Sequence, residues 1–193
     1  FTIPVFIGNV FQQFYNMADA IIVGKFVGTK GLAAVGATGT IMFLIIGFLM
    51  GLTAGFTVLT SQKFGAGKMD EMRQSVGNAA LLSVAISVIM TVGSMVGMRA
   101  LLTLMHTPED IFQDSYTYIM IICGGIFAQV LYNILASILR ALGNSKTPLY
   151  FLILAALLNV ALDLLFIIVF HMGVAGAAWA TITAQGVSGL LCL

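Results

Sequence analysis

Six long apolar runs, each close to or above the length that crosses a bilayer, follow one another through the 193 residues with short polar breaks between them. A hydrocarbon core about 30 Å thick needs roughly 20 apolar residues per helix. The runs cover about 2–24, 32–61, 75–104, 111–141, 148–170 and 174–193. They read as helices, because a transmembrane barrel would alternate apolar and polar residues over segments of about ten. With 60% hydrophobic and 8% charged residues and a mean hydropathy of +1.09, the chain is too apolar for a soluble domain. The fold class is therefore all-α integral membrane, with six transmembrane helices.

Composition also removes several function classes. A net charge of +1, without a basic cluster interleaved with aromatics, gives no footprint for nucleic acid. Cys123 and Cys192 fall inside apolar runs with no CxxC or Cys/His spacing, so they read as small hydrophobes. No HExxH, no GxSxG and no His/Cys pair on one helix face is present, which leaves an enzyme without catalytic candidates.

The breaks between runs carry their own signals. "KFVGTKG" at 25–31 and "QKFGAGKMDEMRQ" at 62–74 are short, charged and glycine-bearing, and "RALGNSKTP" at 140–148 stops one helix and starts another. In "HTPEDIF" at 106–112, Thr107 is expected to cap a helix whose first position is Pro108, with Glu109 and Asp110 on the positive end of its dipole. Lys63, Lys68, Arg73, Arg140 and Lys146 fall in the even-numbered breaks, against Lys25, Lys30 and Arg99 in the odd ones. The positive-inside rule then puts the amino terminus and the even loops in the cytoplasm of a multi-pass cell-membrane protein.

On that orientation Asp19, near the end of the first run, and Asp163, near the end of the fifth, lie roughly 7 to 11 Å inside the outer boundary. Thr181 of the sixth run reaches the same layer, and Asn159 sits one turn from Asp163 on the same face. An aspartate at a helix centre costs about 2.5 to 3.5 kcal/mol even on lenient insertion scales, so both carboxylates point to a water-filled functional setting. Three uses remain open: a proton carrier, a hard oxygen site for sodium, or a counter-charge for a cationic substrate. Asn9, Gln12, Asn16 and Asp19, with Tyr15 beside them, form a polar stripe on the first run. Gln129, Tyr132, Asn133 and Ser137 form another on the fourth, leading toward Arg140. Asn9, Gln129, Gln185 and Ser188 also fit interhelical hydrogen bonds worth about 0.6 kcal/mol on average. Arg99 and Arg140 lie near helix ends and can snorkel. Gly47, Gly51 and Gly55, like Gly93 and Gly97, have GxxxG spacing that predicts close helix packing.

The stretch "FIGNVFQQFYNMADAIIVGKFVGTKGLAAVGAT", the loop "SQKFGAGKMDE", the turn "RALGNSKTPL" and the run "LLNVALDLLFIIVFHMGVAGAAWATITAQ" occur in order. Together they resemble the amino-terminal lobe of the multidrug and toxic compound extrusion (MATE) transporters, of the DinF-like kind. The resemblance implies one six-helix lobe, residues 1–193, of a twelve-helix secondary exporter that antiports small organic cations against protons or sodium. It implies no cofactor beyond that coupling ion. The missing carboxy-terminal lobe, or a second copy of this half, is the implied partner. Asp19, Asn159, Asp163 and Thr181 match the family's coupling-ion network, with sodium expected at Asp19 and Asp163 if a metal ion binds. Gln12, Tyr15 and Asn16, with Gln129, Tyr132 and Asn133, are the expected substrate-cavity residues. A lipid-linked precursor flippase of the wider superfamily is the alternative, and a purely structural membrane subunit the plainest one.

Overall fold

The computed structural model describes residues 2–192 and leaves the side chains of residues 2–5, Asn9 and Gln12 outside the described residues. Seven α-helices run in sequence: α1 (Thr2–Ile22), α2 (Thr29–Gly65), α3 (Met69–Leu104), α4 (Glu109–Gly124), α5 (Ile126–Ala141), α6 (Lys146–Asp163) and α7 (Gly173–Leu191). No strand occurs among the described residues. α2, α3, α6 and α7 are each long and apolar enough to cross a membrane, and α4 with α5 forms a fifth, broken span bent by 47°. The protein is a multi-pass all-α membrane bundle.

That bend is the main departure from the expected runs, which treated 111–141 as one helix. Gly124 and Gly125 supply the break, and α7 supplies the reason for it. A Cβ at Gly125 would fall 2.3 Å from Ile182, so only glycine lets α7 lie this close. The Thr91 hydroxyl on α3 donates to the Cys123 carbonyl at 3.2 Å, meeting a backbone acceptor at the bend. α2 and α3 run beyond the expected 32–61 and 75–104, because their polar ends continue as helix.

Helix ends follow simple chemistry. Gly67 and Gly143 take positive φ (72° and 86°), and the next residue's N–H returns to a carbonyl five residues back, Lys68 to Lys63 and Asn144 to Leu139. Asn144 Oδ1 then accepts the Thr147 N–H at 3.1 Å, so one turn closes α5 and opens α6. Pro108 occupies the N-cap of α4 instead of its first helical position, and no side chain caps that end. Its ψ of 140° is extended, which keeps the proline outside the helix while Glu109 and Asp110 still occupy the first turn.

α7 is the centre of the bundle, packed against α4, α5 and α6. Half of its apolar stretch is buried, against 17% for α2 and for α3. Small residues make this possible: Ala177, Ala178, Ala180 and Ala184 are fully buried, and a Cβ at Gly189 would crowd the Tyr132 backbone at 3.2 Å. α3 carries the opposite pattern, with Leu81, Val88, Ile89 and Val96 exposed on an apolar outer face suited to lipid. The GxxxG positions on α2 and α3 do not pack as expected. A Cβ at Gly47, Gly51, Gly55, Gly93 or Gly97 would meet nothing within 4 Å, so these glycines open outward from the lobe.

Candidate functional site

α1 and α6 each end in a turn of π-helix, Val23–Val27 and Leu164–Val169. Wider turns of this type often mark functional positions. Here they follow the two buried aspartates, Asp19 directly above the first and Asp163 at the start of the second. The Gly28 N–H reaches back to the Val23 carbonyl and the Phe170 N–H to the Leu165 carbonyl, each at 3.1 Å and each five residues away. α7 presses on the second widened turn through Gly176, where a Cβ would stand 3.2 Å from the Phe166 backbone.

The acidic layer forms just inside these turns. Asp163 and Asn159 are fully buried on one face of α6, and Asp19 of α1 is 8% exposed. The Asp19 and Asp163 carboxyl groups are neighbours across the α1–α6 interface. Asn159 Nδ2 donates to the Thr181 hydroxyl of α7 at 3.5 Å. Tyr15 and Gln185 join them, both buried, with the tyrosine beside Thr181 and Gln185. Tyr118 of α4 is buried beside the carboxylates. The six side chains on α1, α6 and α7 thus converge laterally as well as in depth.

Several of their polar atoms lack a partner. Asp19 Oδ1, both Asp163 oxygens, Asn159 Oδ1, Gln185 Oε1 and the Tyr15 hydroxyl are buried without a hydrogen-bond partner from the protein. A concentration of unpartnered oxygens in an apolar layer is costly unless protons, a hard cation or water satisfies it. No group of three or more His, Cys, Asp or Glu side chains suited to a metal occurs among the described residues. A site for sodium would therefore draw on the amide and hydroxyl oxygens as well as the two carboxylates.

The other expected residues separate into two places. Tyr15 belongs to the acidic layer instead of a separate cavity, because it lies four residues from Asp19 on the same helix face. Asn16, one residue and about 100° further round, is exposed. Gln12 lies outside the described side chains. Gln129 is half-buried, and its carbonyl accepts the Asn133 amide at 2.8 Å. Tyr132 and Asn133 line a cleft of about 430 Å³ between α1, α2, α5 and α6, together with Ser137 and Arg140. The cleft extends from the α5–α6 turn along α6 as far as Leu152, which lies seven residues, about 10 Å of helical rise, from Asn159. Gln185 is the residue whose role the sequence understated. Its four-residue spacing from Thr181 was the available signal.

Buried carboxylates inside a bundle of apolar membrane helices are the kind of feature that marks ion or substrate pathways. The MatE family model matches residues 4–165, and the chain belongs to that family, whose members are transporters and not enzymes. It is 35% identical to the probable multidrug resistance protein YpnP of Bacillus subtilis over 190 residues, covering 98% of this chain and 43% of that protein. It is 30% identical to the probable multidrug resistance protein YoeA of the same organism, covering 94% and 40%. Among solved structures it matches the outward-facing conformation of a multidrug resistance MATE family transporter of the MOP superfamily, with a TM-score of 0.93 at 29% identity. That match covers 98% of this chain and 42% of the other. The chain spans less than half the length of these relatives, and it corresponds to their amino-terminal lobe.

Proposed function

We propose that this lobe is part of a secondary active exporter in which Asp19 and Asp163 carry the coupling ion, a proton or sodium, and small organic cations leave in exchange. One observation carries the reading: two carboxyl groups from separate helices face each other in an apolar layer, and three of their oxygens have no protein donor. Such a pair repels unless a proton or cation stands between its members. Arrival of the ion neutralises the pair, weakens its hold on a cationic substrate, and biases the lobe toward its other state. Asn159, Thr181, Tyr15 and Gln185 supply the oxygens and hydroxyls that orient it. Exposed apolar residues and methionines on α1 and α2, among them Phe14, Met17, Phe43 and Met50, suit amphipathic cations of varied shape.

Alternating access then needs a second six-helix half, a carboxy-terminal lobe or another copy of this one. The open glycine face of α2 offers room for it. The amino terminus and the α2–α3 and α5–α6 turns face the cytoplasm in this reading.

The test is Asp163→Asn in the transporter reconstituted into vesicles, with pH and sodium gradients imposed separately. Gradient-driven efflux should disappear while expression and folding persist, and the gradient that drives wild-type efflux names the ion. Wild-type efflux and coupling in the variant would remove Asp163 from the mechanism.

A further inference from the structure

The cleft beside the α5–α6 turn has a different chemistry from the acidic layer. Arg140, in the last turn of α5, lines it half-buried. One of its nitrogens donates to the Ser137 hydroxyl at 3.2 Å, and no carboxylate pairs with it among the described residues. No aspartate or glutamate lines the cleft among the described residues. Accepting from Arg140 leaves the Ser137 hydroxyl hydrogen free to donate. Ser145, at the start of α6, contributes a second hydroxyl, so the positive end of that helix dipole lies at the same wall. Apolar side chains also line it, Met50 and Val58 on α2 and Leu149 and Leu152 on α6, interspersed on α2 with Thr53 and Thr57, whose hydroxyls donate to backbone carbonyls of their own helix. The volume falls within the roughly 300 to 1,000 Å³ typical of organic-ligand pockets.

We propose that this cleft is an anion subsite that takes a phosphate ester carried on an apolar body, held by the Arg140 guanidinium and the Ser137 and Ser145 hydroxyls. Arginine's fixed fork of donors matches phosphate oxygens two at a time, and a guanidinium withdrawn from water favours an anionic partner. The phosphate comes either from a phospholipid headgroup or from a free phosphate ester in solution. The site is separate from the aspartate pair and stands or falls independently of ion coupling.

The experiment measures apparent affinity from ligand-dependent melting of the purified protein in dodecylmaltoside. One arm uses dioleoylphosphatidylglycerol with dioleoylglycerol as control, and the other uses 1-naphthyl phosphate with 1-naphthol. Each phosphate should stabilise more than its neutral control if the site accepts its source. Arg140→Gln should then weaken binding by roughly tenfold or more, as expected for loss of a charge-assisted pair, while Arg140→Lys retains part of it. Arg73→Gln, an exposed arginine at the same end of the lobe, should leave binding unchanged. Dependence in the lipid arm alone assigns a headgroup site, and dependence in the naphthyl arm alone assigns a solute site. Dependence in both assigns a general phosphate-ester site. If Arg140→Gln does not fold, the Ser137→Ala/Ser145→Ala double variant replaces it with the same direction expected. No phosphate-specific stabilisation, or equal weakening by the Arg140 and Arg73 variants, overturns the proposal.

Discussion

Replacing Gly125 by alanine tests whether the bend between α4 and α5 exists to admit α7. The added Cβ would lie 2.3, 2.4 and 2.6 Å from three side-chain carbons of Ile182, where contact between carbons is most favourable at about 3.5 to 4.0 Å. Ile182 is β-branched, so it cannot swing clear by a simple rotamer change, and it packs against the cluster containing Ile22, Ile122 and Ala178. Overpacking of this kind costs about 1 to 3 kcal/mol. Alanine returns up to about 1 kcal/mol by reducing the freedom of the unfolded chain, since the φ of −93° suits any L-residue, so the single variant should be destabilised by about 0 to 3 kcal/mol. The decisive quantity is the coupling. In an Ile182→Ala background the obstruction is gone, and Gly125→Ala should become stabilising by up to about 1 kcal/mol, giving an interaction energy of about 1 to 3 kcal/mol. Equilibrium unfolding in mixed micelles, titrated with a denaturing detergent, reads all four corners of the cycle. Equal effects of Gly125→Ala in both backgrounds would refute the close-approach argument.

Two further outcomes follow from contacts at either end of the bundle. Ser188→Ala removes the hydroxyl that donates to the Phe151 carbonyl at 2.8 Å across the α6–α7 interface, and should cost about 0.6 kcal/mol, with about 1.7 as the upper bound, in the same unfolding assay. Glu71, in the polar first turn of α3, is held well below the ordinary 4.5, to about 2, by hydrogen bonds from Lys63 and then Lys68. A depressed carboxyl stabilises the fold above pH 4.5 and loses that contribution as pH falls through about 2. The melting difference between wild type and Glu71→Gln should therefore be positive near neutral pH, shrink in acid and diminish with added salt; a pH-independent difference would contradict it.

The sequence and the fold agree most closely where one-dimensional arithmetic suffices. Counting residues from the ends of two apolar runs placed Asp19 and Asp163 at one depth, because helical rise is constant. That these carboxyls also meet sideways depends on which faces α1 and α6 turn toward α7, and a single polar stripe does not fix this: Tyr15 turns inward while Asn16 turns out. The GNSKTP turn was legible because glycine and asparagine act locally there. The break at Gly125 was not, since its cause is Ile182, a residue 57 positions away in the chain. The GxxxG stripes had the spacing of a packed interface, but spacing alone does not say whether the partner lies within the lobe. The second π turn, Leu164–Val169, left no trace in residue type, and the first left only Gly24. Valine, phenylalanine and leucine there would serve equally in an ordinary helix.

Those two widened turns have a geometric corollary. Each accommodates one residue more than an ordinary turn, and each residue of helix advances the phase by about 100°. The stretch beyond Asp19 that leads to Gly28, and the stretch beyond Asp163 that leads to His171, are thus both out of step with the helix bodies that hold the acids. Deleting a single residue from either stretch would restore regular winding and swing the outer tip by roughly a quarter turn, with the carboxylate left where it is. The two acid-bearing helices share this widened joint at matching heights, so the residue count there sets how the crown of the lobe is aimed relative to its charged interior.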